Sequence, residues 1–142
     1  MKPLFSIFIL CFLTSVAAKA EVPRRHPIFG QWLTQDHKQT KKYRSIVMDA
    51  KTKQPRVYNC VRSQTEGGIE LSVVVCREGA PTERFLNYNQ KADKFWFSQN
   101  RLTELYVDRS GDVMYESTGV FGLVQTEWYR VYDPMVEFVY VK

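Results

Sequence analysis

At 142 residues, 44% hydrophobic and 14% aromatic, the chain has the size and apolar content of one domain with a real core. Its formal net charge of +5 is unevenly spread: from Glu21 to Arg56 nine Lys or Arg face three acids, and from Val57 onward nine face twelve. Beyond the first residues no stretch approaches the roughly 18 to 20 consecutive apolar residues of a membrane span, which excludes a helical membrane protein.

Met1-Lys2, the apolar run Leu4 to Val16 and the small-residue site Ala18-Lys19-Ala20 form the charged, hydrophobic and cleavage regions of a signal peptide. Residues 1–20 are therefore set apart from the fold. The mature chain is expected to be exported, periplasmic or secreted, with no transmembrane segment. Leu10 before Cys11 argues against a lipid-modified cysteine, which follows a small residue. Export also makes nucleic acid a poor partner; the basic front end suits acidic partners or anionic surfaces, or is simply a solvated face.

Residues 21–28 contain Pro23, Pro27 and Arg24-Arg25-His26, which predict an extended, solvated arm ahead of a single domain over residues 29–142. From Phe29 onward, short β-branched and aromatic runs alternate with turn residues, and no segment keeps a helical period. The strands read as 30–34, 43–49, 56–63, 69–77, 83–88, 94–98, 103–108, 112–118, 126–132 and 136–141. Eight to ten strands at this spacing predict an all-β fold, an antiparallel up-and-down barrel, because closure removes exposed edges.

Cys60 and Cys76 remain after processing, and an even pair in an oxidising compartment predicts one disulfide. A two-residue turn at Gly67-Gly68 would put the two cysteines on opposite faces. An odd-length loop or a bulge sets Cys60 opposite Cys76, Val61 opposite Val75 and Tyr58 opposite Glu78. In the hairpin around Asp108-Arg109-Ser110-Gly111-Asp112, a three-residue loop with Gly111 in the left-handed conformation pairs Val107 with Val113 and Leu105 with Tyr115. That register opposes Glu104 to Glu116, a conflict relieved by a cation, by a neighbouring Arg, by splaying into water or by a one-residue shift.

Catalysis lacks support. His26 and His37 both fall near the start, away from any nucleophile, and carboxylates at alternate strand positions are ordinary solvent-facing residues; no catalytic residue, metal or cofactor is expected. Binding is better supported, by aromatics. Phe95-Trp96-Phe97 is aromatic on both faces of its strand. On the last core strand, alternation places Trp128, Arg130 and Tyr132 together, with Glu127, Tyr129 and Val131 opposite. Two readings of Arg130 stand at this level. Its fork, aided by the Tyr132 hydroxyl, suits a ligand carboxylate, with Trp128 and Trp96 lining the site. Alternatively it covers the indole of Trp32, with Gly30 permitting close approach, and plugs the barrel end.

Gly30-Gln31-Trp32 on the first strand and Arg130 on the last core strand resemble the G-x-W motif and stacking arginine of the calycins, the group that includes the lipocalins. Residues 32–47 and 125–131 are also similar to short exported bacterial lipocalin-like proteins of unknown function, and Arg130-Val131-Tyr132 resembles the R-x-Y clamp of fatty-acid-binding proteins. The resemblance implies a binding protein for a small apolar or amphipathic molecule. The alternatives are a barrel that inhibits an extracellular hydrolase through its arm, and an envelope interaction protein without a cavity. The mature chain is shorter than a typical lipocalin and lacks the long helix after the barrel, and a barrel this small is readily filled by its own side chains.

Overall fold

The computed structural model describes residues 21–35, 41–64 and 70–142. Among these, the alternating runs form ten strands: β1 (Gly30–Gln35), β2 (Lys41–Met48), β3 (Pro55–Gln64), β4 (Glu70–Glu78), β5 (Leu86–Asn89), β6 (Lys94–Phe97), β7 (Asn100–Val107), β8 (Val113–Thr118), β9 (Val124–Arg130) and β10 (Glu137–Tyr140). They make one sheet in the order β10-β4-β3-β2-β1-β9-β8-β7-β6-β5. Every pairing is antiparallel except that of β10 with β4.

The closed barrel is corrected by this order. The meander breaks between β4 and β5, and β5 comes back to β3 instead, through a single bridge of Arg56 with Phe85 and the bond from Val57 N–H to the Arg84 carbonyl. One bridge is not a ladder, so the sheet keeps two ends. β4 cannot close the gap because its free edge is taken by β10.

Two cores lie on opposite faces of the sheet. β1, β2, β3 and β5 through β9 each contribute to the larger one, with Trp32, Ile46, Val57, Leu86, Phe95, Phe97, Leu105, Met114 and Trp128 all buried. The alternate residues of β2 and β3 face the other way, where Tyr43 and Cys60 join Val74, Cys76, Val131, Val136 and Phe138. Strand periodicity thus places Ile46 and Tyr43 in different cores. Tyr140 on β10 reaches back to Ser45, hydroxyl to hydroxyl at 2.6 Å.

Cys60 pairs with Cys76 in register and is bonded to it, Val61 opposes Val75 and Tyr58 opposes Glu78, with an irregularity between Arg62 and Gln64. The turn at Gly67-Gly68 lies outside the described residues. A separation of 16 residues makes the closed-loop contribution on the order of 3 kcal/mol.

The β7–β8 register differs by one from the three-residue loop. Val107 pairs with Met114 and Leu105 with Glu116. Asp108 bonds across to Val113 (N···O 3.0 Å), so four residues form the connection, and Gly111 takes the left-handed conformation at φ 79°. The shift removes the carboxylate clash: Glu104 opposes Ser117, while Glu116 turns inward to Arg44 at 2.9 Å.

The solvated arm is also corrected. Val22 and Ile28 are buried in the larger core and His26 is buried beside it. Three successive arm carbonyls are held from below: Arg130 Nη2 donates to Pro27, Trp32 Nε1 to Ile28 at 3.1 Å, and Arg130 Nη1 to Phe29 at 2.9 Å. Satisfied carbonyls are what allow an irregular segment to pack against a core.

Candidate functional site at the open seam

The residues expected to form one ligand site are dispersed. Arg130 lies with its guanidinium 4.3 Å from the centroid of Trp32, and its Nε donates to the Gly111 carbonyl at 2.8 Å. With the two arm carbonyls, all three guanidinium nitrogens are engaged by backbone. A Cβ at Gly30, whose φ is 141°, would collide with Arg130 Nη1, so the glycine makes room for the arginine. Of the two readings of Arg130, the contact with Trp32 is the one this geometry contains, at an open sheet rather than at a barrel's end.

β9 ends at Arg130, so alternation does not carry Tyr132 inward. Tyr132 is 71% exposed and donates to Asp112 Oδ1, a bond that holds its hydroxyl above the usual phenol range. Trp128 is buried, with the Arg44 guanidinium 4.3 Å from its ring centroid, and its Nε1 has no hydrogen-bond partner among the described residues. Trp96 sits elsewhere. It faces outward from β6, between the buried Phe95 and Phe97, with Arg101 over its ring.

Trp96 does border a concavity beside the arm. Where β3 and β5 fail to pair, a groove of about 850 Å³ is lined by Val22, Pro55, Leu86, Tyr88 and Trp96, with Lys53, Gln54 and Asn87 among its polar groups. That volume is in the range of small-molecule sites. Its walls are built rather than incidental: Gln54 Nε2 donates to Asn87 Oδ1 at 2.9 Å across the seam, and the β2–β3 turn is held by Asp49, which accepts from Thr52 N and Thr52 Oγ1 at 2.8 Å each. These bonds hold the Asp49 carboxyl below the usual range.

The arm wall is latched by His26. Ile28 N–H donates to His26 Nδ1 at 3.0 Å, which leaves Nε2 to donate to Asp93 Oδ1 at 2.7 Å. Tyr88 donates to the same oxygen at 2.8 Å, and the imidazole packs edge-on against Phe95. Burial, with Asp93 beside it, pushes the Tyr88 hydroxyl up to about 12, so it stays a donor. The His26 bond, followed by that from Tyr88, lowers the Asp93 carboxyl below 3.8.

A depressed carboxyl stabilises the fold above its unfolded pKa, and the contribution is lost as pH falls through the folded value. Asp93→Asn is therefore expected to be less stable than the parent at neutral pH, with the two converging as pH falls below about 4. Urea midpoints measured across that window check this; a constant gap would remove Asp93 from the latch.

Neither the sequence periodicity nor any motif marks Val22, Pro55, Leu86 or Tyr88 as a group, because three separate segments, the arm, β3 and β5, supply them. Arg44 and Glu116 are a pair that pattern reading left unassigned, although a neighbouring Arg was one of four ways it offered to relieve the carboxylate conflict at Glu116. Among the described residues, no three His, Cys, Asp or Glu side chains gather as a metal site requires, and no helix is long and apolar enough to cross a membrane. Comparison with protein-family models, with curated proteins and with solved structures finds no match to this chain.

Proposed function

We propose that this is an exported, lipocalin-like binding protein whose ligand is a small apolar or amphipathic molecule held in the seam groove. The observation that carries the reading is the groove itself: an aromatic wall of Tyr88 and Trp96 over the buried Val22, Pro55 and Leu86, with Glu21 and Lys53 as its charged groups, of which Lys53 would meet an acidic head. Because the larger core is filled by its own side chains, this reading puts the ligand where the sheet stays open. The arm supports this reading over hydrolase inhibition, since Val22 and Ile28 belong to the core rather than to a free inserting segment.

Trp32 and Trp128 are buried, so Trp96 is the indole through which a quencher in water reads the groove. Decanoate and anilinonaphthalene sulfonate are suitable amphipathic probes. Either is expected to protect tryptophan fluorescence from acrylamide, and Trp96→Ala to weaken its binding by roughly tenfold, the effect of removing one large aromatic wall. Unchanged affinity in a folded Trp96→Ala protein would overturn the assignment of the groove.

A further inference from the structure

We infer that the apolar tip made by the β6–β7 and β8–β9 connections is a docking surface for an anionic lipid bilayer. Phe121 is 93% exposed, Leu123 82%, Val124 62% and Leu102 57%, and all four lie on the β6–β7 and β8–β9 connections or at the strand ends beside them. A soluble surface scatters such residues singly; a cluster marks a contact.

The cluster is held out by backbone. Phe121 has φ 68°, a left-handed conformation that bulky residues rarely take, and it lies between Gly119 and Gly122, also at positive φ. Gly119 N–H donates to the Leu102 carbonyl at 3.0 Å and Gly122 N–H to the Gly119 carbonyl at 3.2 Å. These bonds tie the two connections into one projecting tip. A convex apolar tip suits insertion among lipid headgroups better than it suits a flat partner.

Charge chooses the kind of surface. Arg101 is next to Leu102 in sequence and lines the hollow beside Phe121. Lys41 and Lys42 pair with Gln35 and Thr34 at the end of β1, and Thr34 Oγ1 donates to the Glu127 carbonyl, which places both lysines at the same end as Val124. Both are exposed. Of the described carboxylates there, Glu104 lies 4.0 Å from Lys94 and Glu127 accepts from the Tyr129 hydroxyl. Cations around an apolar tip are complementary to anionic headgroups over acyl chains.

The test is sedimentation of the full chain with phosphatidylcholine vesicles, with and without phosphatidylglycerol. Parent and variants carry the same N-terminus, so differences between them read the tip. The variant Phe121→Asn/Leu123→Ser keeps a residue that tolerates positive φ and touches no core position, and near-ultraviolet circular dichroism checks its fold. The parent is expected to bind anionic vesicles in preference to neutral ones, the tip variant to lose roughly tenfold or more, and Lys41→Gln/Lys42→Gln to lose several-fold with a flatter salt dependence. Equal binding by parent and tip variant overturns the proposal, as does no binding by the parent. A self-association of the parent that vesicles do not compete with and the tip variant lacks would also overturn it, assigning the tip to a second copy.

Discussion

Replacing Glu116 by alanine is expected to destabilise the protein by about 3–5 kcal/mol, the loss seen when one partner of a buried ion pair is removed. The Arg44 side chain is only 9% exposed and Glu116 14%, and they meet at 2.9 Å inside the larger core. Arg44 lies over Trp128 at 4.3 Å and near Phe97 at 5.8 Å, and its Nε has no hydrogen-bond partner among the described residues. Among the described residues the guanidinium thus depends on Glu116 for its one charge-assisted bond. The rings attract a cation but do not replace a carboxylate, so the single variant strands a charge. The companion result separates this from mere packing loss: Arg44→Met/Glu116→Leu is expected near or above parental stability, because apolar isosteres need no desolvation of charge. Urea denaturation of the parent, both single variants and the double variant reads the coupling directly. A Glu116→Ala loss under 1 kcal/mol would show that water reaches the pair.

Arg130→Ala is expected to cost about 3–4 kcal/mol, lowering the melting midpoint by roughly 10–20 °C. Three contributions go at once: the charge-assisted bonds to Gly111, Phe29 and Pro27, the cover over Trp32, and the junction between the arm and the β7–β8 connection. A bond from a charged donor contributes about 1.5–3 kcal/mol and a cation over an aromatic ring about 1, and the sum is reduced because the loosened carbonyls regain water. Lysine restores little, since one ammonium does not reach three carbonyls while lying flat on an indole. Calorimetry of the alanine and lysine variants checks the scale. In a carboxylate clamp the same substitution would spare stability and remove decanoate binding; here the reverse is expected at temperatures where the variant is folded.

The Phe121→Asn/Leu123→Ser variant completes a useful contrast with these two. It alters no buried residue, so stability and groove binding should be untouched while the vesicle partition changes. Groove, plug and tip are thus separable by measurement even though one sheet carries all three.

What the amino-acid order determined by itself is local. Alternation of apolar and polar residues and the turn residues between runs placed all ten strands within a few residues of their ends. The pairing of Cys60 with Cys76 followed from an even cysteine pair in an exported chain, with face parity then requiring an odd loop or a bulge; the contact of Trp32 with Arg130 was one of the two readings the sequence left open. Tertiary structure decided the rest, because several segments had to arrive together. Whether β4 met β5 depended on β10 taking the β4 edge from a distance of some sixty residues. The inward turn of Glu116 depended on one extra residue in a connection and on Arg44 waiting across the core. The arm, polar in sequence, became a wall only because Trp32, Arg130 and Asp93 supplied partners for its backbone and for His26. Period and parity act between neighbours along the chain; edges, seams and the burial of a charge are settled by whatever the folded sheet places beside them.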